Sequence, residues 1–364
     1  MAYKGKTHYD KPWLSLDDQI ARVESRGMTD AHEYAMEFAR IGYYRLSGYW
    51  YPFRKPAPGT TDKRLDEFVE GARFEHVMRL YRYDDRLRAA LYSALSKIEV
   101  ALRVKVGYVL GRRDAFAYLK PAMLKDDLDV VEYSNFVSSF TGEVKRSDED
   151  YAEHFKNDYD GQMPIWAATE AMTLTNLIKL LLCMKPEDRD EISADFGVSR
   201  GAFRSWFKTL TELRNSVAHQ GRLFDREFDN IPNWEQRPEL AHAKLANEAY
   251  LRRLQNLVRM NKAYHEFQQS QHRHTRIYGQ IAVIAYMLRN LGDDDEALNL
   301  RHCLEAFPTD IPGMSPNKTM GIPDHWKDQI LWNFDLPAAD GIDSPTSGDR
   351  PEPEARSGEG TDRR

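Results

Sequence analysis

Residues 74–111 read FEHVMRLYRYDDRLRAALYSALSKIEVALRVKVGYVLG, and this stretch decides the fold. Its apolar side chains recur at steps of three and four residues, as they do on one face of an α-helix. They are Val77, Leu80, Tyr81, Leu87, Leu91, Leu95, Ile98, Leu102, Val106 and Leu110. At 1.5 Å per residue such a helix would be roughly 55 Å long. We therefore predict that it is the spine of a helical bundle.

Helical patterns also lie on both sides of this spine. Residues 12–27 predict a helix capped by Ser15, and residues 30–41 predict a second helix with Asp30 as its N-cap. Residues 163–184 predict one helix beginning at Pro164, and Ser199 is the expected cap of the helix that reaches residue 219. Further helices are predicted near 243–270, 274–291 and 294–306. Residues 55–64 predict a turn-rich loop, and 125–160 short helices and loops. No long alternating pattern predicts a sheet, so we expect an all-α protein.

The hydrophobic pattern changes near Phe74, and the composition changes near Pro337. We predict an N-terminal helical segment over 11–72, a helical core over 73–335 and a tail over 336–364. The tail has almost no apolar residues, which is typical of disordered segments.

Charge and cysteine content limit the possible partners. The 364 residues carry a net charge of −6, so a phosphate-bearing partner would need a local basic patch. Cys183 and Cys303 lie in apolar helical patterns and have neither metal-ligand nor disulfide spacing. The N-terminus lacks a signal-peptide pattern, and the longest apolar run, IAVIAYML, is too short to span a bilayer. We expect a cytoplasmic protein with no membrane partner.

The segment TELRNSVAHQGRLFDR, residues 211–226, carries an unusual set of polar groups for one helix end. Arg214 and His219 are five residues apart, which places them roughly 140° apart around an ideal helix. They converge only if the helix distorts or the pocket is open, and Gly221 predicts an end or bend there. In a purely structural interpretation, Arg214 pairs with a carboxylate such as Glu212, and His219 is a satisfied histidine near a helix C-terminus.

A chemical interpretation is that this segment cleaves RNA without a metal. Histidine can move protons near neutral pH, and arginine can stabilise the negative charge that develops on a phosphate. Asn215 could hold a ribose or phosphate oxygen, and Arg222 could bind a further phosphate. Because one histidine is too few for two proton transfers, we expect a symmetric homodimer to bring a second Arg214 and His219 to one cleft.

Other candidate residues have equally simple structural explanations. In GYYRLSGYW, residues 42–50, Tyr44 and Arg45 could stack on and bind single-stranded RNA, but these aromatic rings could instead bury a helix junction. Glu170 lies in an apolar helix and could pair with Arg214. His272 and His274 lack the further ligands of a metal site. No phosphate-binding glycine loop is present, and no cofactor is predicted.

The motif RNSVAH, residues 214–219, fits the Arg-x4-His signature of the HEPN superfamily of ribonucleases. The chain also resembles the Abi-like (AbiD/AbiF-type) abortive-infection proteins. The resemblance rests on residues 164–181, on residues 203–224, on KPWLSLDDQIARVESRGM with IGYYRLSGYWYPF, and on MGIPDHWKDQILW. It implies a dimeric HEPN-like helical bundle that acts on RNA in antiviral defence, with Arg214 and His219 as the catalytic pair and Asn215 as their polar partner. Asp225 stands where the family pattern predicts Asn; its carboxylate would repel phosphate or fix His219 or Arg222.

Three functional hypotheses follow. The first is a metal-independent endoribonuclease (a hydrolase) that cuts single-stranded or looped RNA and is restrained by a small RNA, an antitoxin or a phage trigger. The second is a non-catalytic RNA-binding or sensor module of a defence or toxin–antitoxin system. The third is an interaction protein that acts on a protein target through its helical faces.

Overall fold

The computed structural model describes residues 11–60, 63–230, 232 and 275–334, which lie within one compact unit, Met1–Phe334. The described residues are mainly helical, so the predicted all-α class is confirmed. In chain order the α-helices are α1 (Leu16–Glu24), α2 (Ala35–Ile41), α3 (Tyr43–Trp50), α4 (Phe74–Gly111), α5 (Val130–Arg146), α6 (Asp150–Asp158), α7 (Ile165–Ala171), α8 (Leu174–Cys183), α9 (Pro186–Asp195), α10 (Arg200–Ala218), α11 (Ile277–Leu291), α12 (Asp294–Glu305) and α13 (Pro316–Met320).

Helix α4 is the spine of the fold, as its sequence predicts. It has the predicted bounds, Phe74 and Gly111, and contacts α3, α7, α8, α9, α10, α11 and α12. Of the ten apolar residues in its predicted stripe, all but Tyr81 are buried, and Tyr81 is half-buried. The helix is therefore held by the burial of one apolar face against several neighbours rather than by local propensity alone.

The N-terminal segment confirms one predicted cap and corrects another. The Ser15 hydroxyl accepts a hydrogen bond from the Asp18 amide at the start of α1, as expected. Asp30 does not cap the helix that follows it, which begins as a 3-10 turn over Ala31–Tyr34. Its carboxylate instead accepts hydrogen bonds from the amides of Phe74 and Glu75, at 2.7 and 3.1 Å. Asp30 is thus the N-terminal acceptor for α4.

The predicted loop after α3 is flanked by two short strands. Strands β1 (Arg54–Pro56) and β2 (Arg64–Phe68) pair antiparallel, with Arg54 opposite Phe68 and Pro56 opposite Arg64. Pro56 lacks an amide donor, so it weakens the strand signal, and the alternation is too short to stand out.

The helix predicted over 163–184 is two helices in the structure. α7 ends at Ala171, and α8 starts after Thr173, whose hydroxyl accepts a hydrogen bond from the Asn176 amide. A threonine N-cap inside an apolar run therefore divides the predicted helix. Similarly, the region expected to hold only short helices contains the 17-residue α5.

The C-terminal part of the described chain covers the spine from another side. Helix α11 is buried along most of its length and contacts α4, α10 and α12. Residues 320–332 pack on α11, and the Trp332 indole donates a hydrogen bond to the Tyr278 hydroxyl at 2.8 Å. The helix predicted near 243–270, the histidines His272 and His274, and the predicted tail 336–364 lie outside the described residues. The boundary between 72 and 73 stays a prediction.

Candidate functional site

Helix α10 ends in a hydrogen-bonded turn that positions the candidate residues. Ser199 caps its start, as predicted, and His219 is the C-cap. The Gly221 amide donates to the Ser216 carbonyl at 2.7 Å and the Gln220 amide to the Val217 carbonyl at 3.1 Å, the two bonds of a Schellman motif. We call residues 219–221 the α10 turn.

Within this turn, Gln220 and Gly221 are under different conformational constraints. The left-handed residue is Gln220, with φ 57°, and not the glycine that the sequence offered for that position. Gly221 is required for space, because a Cβ there would lie 2.9 Å from the Ser216 carbonyl oxygen. The predicted helix end is therefore present without distortion of the helix before it.

Arg214 projects from α10 toward the spine. Its Nε lies 3.9 Å from Oε2 of Glu99 on α4, and its side chain remains 38% exposed. Glu99 makes a closer contact with Arg103, at 2.5 Å. Because the contact with Glu99 is at the limit of an ion pair and the guanidinium is partly open to solvent, Arg214 retains donors for an anionic ligand.

The sequence suggested Glu212 or Glu170 as the ion-pair partner of Arg214, and both suggestions are wrong. Glu212 accepts hydrogen bonds from the backbone and side chain of Asn230. Glu170 is exposed rather than buried, and its backbone carbonyl accepts from Arg103. The partner is on α4, which is distant in sequence.

Asn215 and His219 are both exposed. The His219 amide donates to the Asn215 carbonyl at 3.0 Å, which fixes the backbone of the pair. Among the described residues, no hydrogen bond or ion pair joins the side chains of Arg214, Asn215 and His219. The C-terminal end of α10 therefore carries a partly exposed arginine and an exposed histidine whose side chains are not in contact with each other.

Two further arginines connect the α10 turn to α3. Arg45 Nη1 donates to the Gln220 carbonyl at 2.6 Å, and Arg222 Nη1 donates to the Gly48 carbonyl at 2.5 Å. Cations beside carbonyls at a helix C-terminus are electrostatically favourable. These contacts give both arginines a structural role and place positive charge near His219. Tyr44, beside Arg45, is 77% exposed.

The other rings of α3 fill the helix junction. Tyr49 and Trp50 are fully buried, and Trp50 contacts Phe38 and Phe74. The interpretation of these two rings as core is confirmed, which leaves Tyr44 as the exposed aromatic residue nearest to Arg45 in sequence.

A buried polar cluster behind the turn was missed by sequence reasoning. The carboxylate of Asp84 on α4 accepts from the Tyr49 hydroxyl and Arg88 Nη1, each at 2.6 Å, and from the amides of Leu223 and Phe224. We call these five groups the Asp84 cluster. Asp84 occupies a position of the apolar stripe between Leu80 and Leu87, which is the signal that could have found it.

The electrostatics of this cluster follow from its burial. Burial raises the pKa of the Asp84 carboxyl, although the Tyr49 hydrogen bond and the Arg88 charge oppose this shift. Burial also disfavours the charged form of Arg88, but the nearby Asp84 and Tyr49 outweigh it, so the pKa of Arg88 is raised and it stays charged. The cluster is a buried ion pair that fixes the chain leaving the α10 turn.

From the sequence, Asp225 could have oriented His219 or Arg222. In the structure it pairs with a different residue. It is left-handed, with φ 49°, and its carboxylate accepts from Arg276 Nη1 at 3.0 Å. Burial raises the pKa of Asp225, against the opposing charges of Arg276 and Arg222. Because Arg276 balances its charge, Asp225 is a poor source of repulsion for a phosphate at His219.

No group of three or more His, Cys, Asp or Glu side chains suitable for a metal ion occurs among the described residues. In the same ranges, no helix is both long enough and apolar enough to cross a lipid bilayer.

A model of the family described as Abi-like protein matches residues 38–225, just over half of the chain. The chain belongs to the Abi-like family. The matched region runs from α2 through the spine and α10 to Asp225, so it contains both the α10 turn and the Asp84 cluster. Membership supports a role in abortive infection for this Abi-like protein. No curated protein and no solved structure matches the chain.

Proposed function

We propose that this Abi-like protein is a metal-independent endoribonuclease of the HEPN type, related to the AbiD/AbiF group, that acts on RNA in anti-phage defence. Arg214 and His219 are its catalytic pair in this proposal. The observation that carries it is the C-terminal end of α10, where Arg214 is partly exposed and His219 is exposed, with Arg45 and Arg222 adding positive charge at the α10 turn.

The proposed reaction uses these groups as a proton carrier and a cation. His219 removes the proton from a ribose 2'-hydroxyl, and the 2'-oxygen attacks the adjacent phosphorus. The bond to the 5'-oxygen breaks, and that oxygen takes a proton from an acid, which is His219 of a second copy or water. Arg214 stabilises the charge on the phosphate oxygens. The products are a 2',3'-cyclic phosphate and a 5'-hydroxyl.

Other groups would position the RNA. Asn215 is exposed one residue after Arg214 and can donate to a ribose or phosphate oxygen. In this proposal a base stacks on the ring of Tyr44, which is 77% exposed and precedes Arg45 in the sequence. Arg222 uses one of its five N–H donors on Gly48, so it can offer both charge and further donors to a phosphate.

The test is a digest of labelled single-stranded and hairpin RNA in EDTA. We expect wild-type protein to cut the RNA and leave 2',3'-cyclic phosphate ends. The cleavage rates of Arg214→Ala and His219→Ala should be lower by about 10²–10⁴-fold. Arg204→Ala and His325→Ala are matched controls, because both residues are exposed and lie elsewhere. Controls that lose as much activity as the site variants would contradict the assignment.

A second candidate is a non-catalytic RNA-binding or sensor module. The lack of a side-chain contact between Arg214 and His219 in the described chain, together with the net charge of −6, favours it. Wild-type protein that binds RNA at low salt but cuts none of the substrates in EDTA would select this alternative.

A further inference from the structure

The guanidinium of Arg226 lies against the face of α10 that carries His219. The His219 amide donates to the carbonyl four residues earlier, so the helical spacing extends to His219. Around such a helix Ser216 is roughly 60° from His219, whereas Arg214 is roughly 140° from it. The Ser216 hydroxyl accepts a hydrogen bond from Arg226 Nη1 at 3.1 Å, and the same nitrogen lies 3.4 Å from the position that a Cβ on Gly221 would take. The guanidinium is therefore anchored beside residues that precede and follow His219.

The charge of Arg226 is not balanced by a carboxylate. The acidic residues on either side of it in sequence, Asp225 and Glu227, both contact Arg276, at 3.0 and 3.6 Å. Within the described ranges Arg226 makes no ion pair, and its bond to Ser216 uses one of the five N–H donors of a guanidinium. A half-buried arginine without a counter-charge retains both charge and donors for an anion.

A buried ring fixes the orientation of this guanidinium. Arg226 Cζ lies 4.8 Å from the centroid of the Phe228 ring, and Phe228 is only 3% exposed. The Phe228 amide donates to the Thr275 carbonyl at 2.8 Å, which holds the backbone beneath the ring. Because the side chain is already stacked on a fixed ring, it loses little conformational entropy when it binds a ligand. Arg226 is thus preorganised to bind an anion beside His219.

We propose that Arg226 is a phosphate-binding residue that holds the RNA phosphodiester on which His219 acts. The inference rests on the proposed function and deepens it. Arg226 donates to a non-bridging oxygen of this phosphate while His219 removes the proton from the neighbouring 2'-hydroxyl. The site adds a cation on the His219 face of α10, whereas Arg214 contacts Glu99 on α4.

Binding of a labelled 2'-O-methyl oligoribonucleotide tests the contact, because this probe has no 2'-hydroxyl to attack and stays intact. Fluorescence anisotropy at several KCl concentrations gives the dissociation constant and its salt dependence. We expect Arg226→Gln to raise the dissociation constant by about 10-fold or more. The slope of log Kd against log salt should fall by about 0.7, the share of one phosphate on a single strand. Arg226→Lys keeps the charge and should keep the slope.

Arg112→Gln is the matched control for this measurement. Arg112 is exposed at the other end of the spine, and its guanidinium is already paired with Glu191 at 2.7 Å. The variant loses the same charge as Arg226→Gln but should bind the probe as wild-type protein does. A fall in slope as large as that of Arg226→Gln would show a general charge effect and overturn the site.

A carboxylate at position 216 gives a second test that leaves Arg226 in place, and it serves also if Arg226→Gln is unstable. Ser216→Asp puts an acidic group where the hydroxyl now accepts from Arg226, so it should pair with the guanidinium and lower the slope by a similar amount. Ser134→Asp, exposed on α5, adds the same charge elsewhere and should leave the slope unchanged. Wild-type slopes in both Arg226→Gln and Ser216→Asp would overturn the proposal.

Cleavage of unmodified RNA in EDTA links the site to the reaction. Arg226→Gln should lower the rate at saturating RNA by about 10²-fold or more, because it removes a cation from the charge that develops on the phosphate. Arg112→Gln should cut at the wild-type rate. An Arg226→Gln protein that cuts as fast as wild type would contradict the contact with the scissile phosphate.

The two proposals can fail separately. Protein that binds the probe through Arg226 but cuts no RNA contradicts only the nuclease. Protein that cuts RNA and depends on Arg214 and His219, while Arg226→Gln keeps the wild-type rate and salt slope, contradicts only the phosphate site at Arg226.

Discussion

The two sides of the α10 turn differ in how their polar groups are satisfied. On the inner side, the Asp84 carboxylate is fully buried and accepts hydrogen bonds from two side chains and two backbone amides. On the outer side, Asn215 and His219 are exposed, and Arg214 makes one long contact with Glu99. The interactions that hold the backbone are thus separate from the side chains proposed to carry the chemistry, so stability and activity can be tested independently.

The largest expected effect is on the inner side. Asp84→Ala would leave the buried Arg88 without its main partner and two amides without an acceptor, so we expect the free energy of unfolding to fall by about 3–5 kcal/mol. Urea denaturation measures it. Asp85→Ala is the matched control, since Asp85 is an exposed partner of the same arginine, and it should cost about 1 kcal/mol or less. Equal losses in the two variants would show that the buried Asp84 contributes no more to stability than the exposed Asp85.

A smaller effect is expected within the turn. Gly221→Ala would place a methyl group 2.9 Å from the Ser216 carbonyl oxygen and force the turn to shift. We expect a loss of about 1–3 kcal/mol, as for other overpacked sites. RNA cleavage should fall as well, because the shift moves His219. A variant with wild-type stability and a weakened cleavage rate would separate the two effects and contradict the steric argument.

The smallest effect is expected at the adjacent position and has the opposite sign. Gln220 has φ 57°, which disfavours any residue with a Cβ, so Gln220→Gly should stabilise the protein by about 0.5–1 kcal/mol. The hydrogen bond from Arg45 goes to the backbone carbonyl and is kept. Lys208→Gly, at an exposed interior position of α10, is the control and should destabilise by about 1 kcal/mol. A loss in both variants would show that the turn does not favour glycine at 220.

The sequence predicted well what depends on local periodicity. Both ends of α4 were found because its apolar residues repeat over 38 positions. Ser15 and Ser199 were found as caps because each acts on the helix that directly follows it. The division at Thr173 was missed, since the apolar pattern continues on both sides of a cap that uses a single hydroxyl.

What could not be predicted depends on contacts between distant parts of the chain. Asp30 was predicted to cap the helix that follows it, but its carboxylate oxygens accept hydrogen bonds from the first amides of α4, more than 40 residues away. Asp84 was missed, because the two amides that it binds, those of Leu223 and Phe224, lie 139 and 140 residues further along the chain. The residues of the candidate site were named from sequence, but the partners that position them are set by tertiary packing. Their catalytic role remains a prediction.

The placement of Asp30 has a consequence for the order in which the molecule folds. The first amides of a helix have no acceptor within it, and for the spine two of these amides rely on a carboxylate that arrives with the docked N-terminal segment. The start of α4 should therefore fray until that segment is in place. Hydrogen exchange at Phe74 and Glu75 would then report when the N-terminal segment docks and undocks, independently of the rest of the spine.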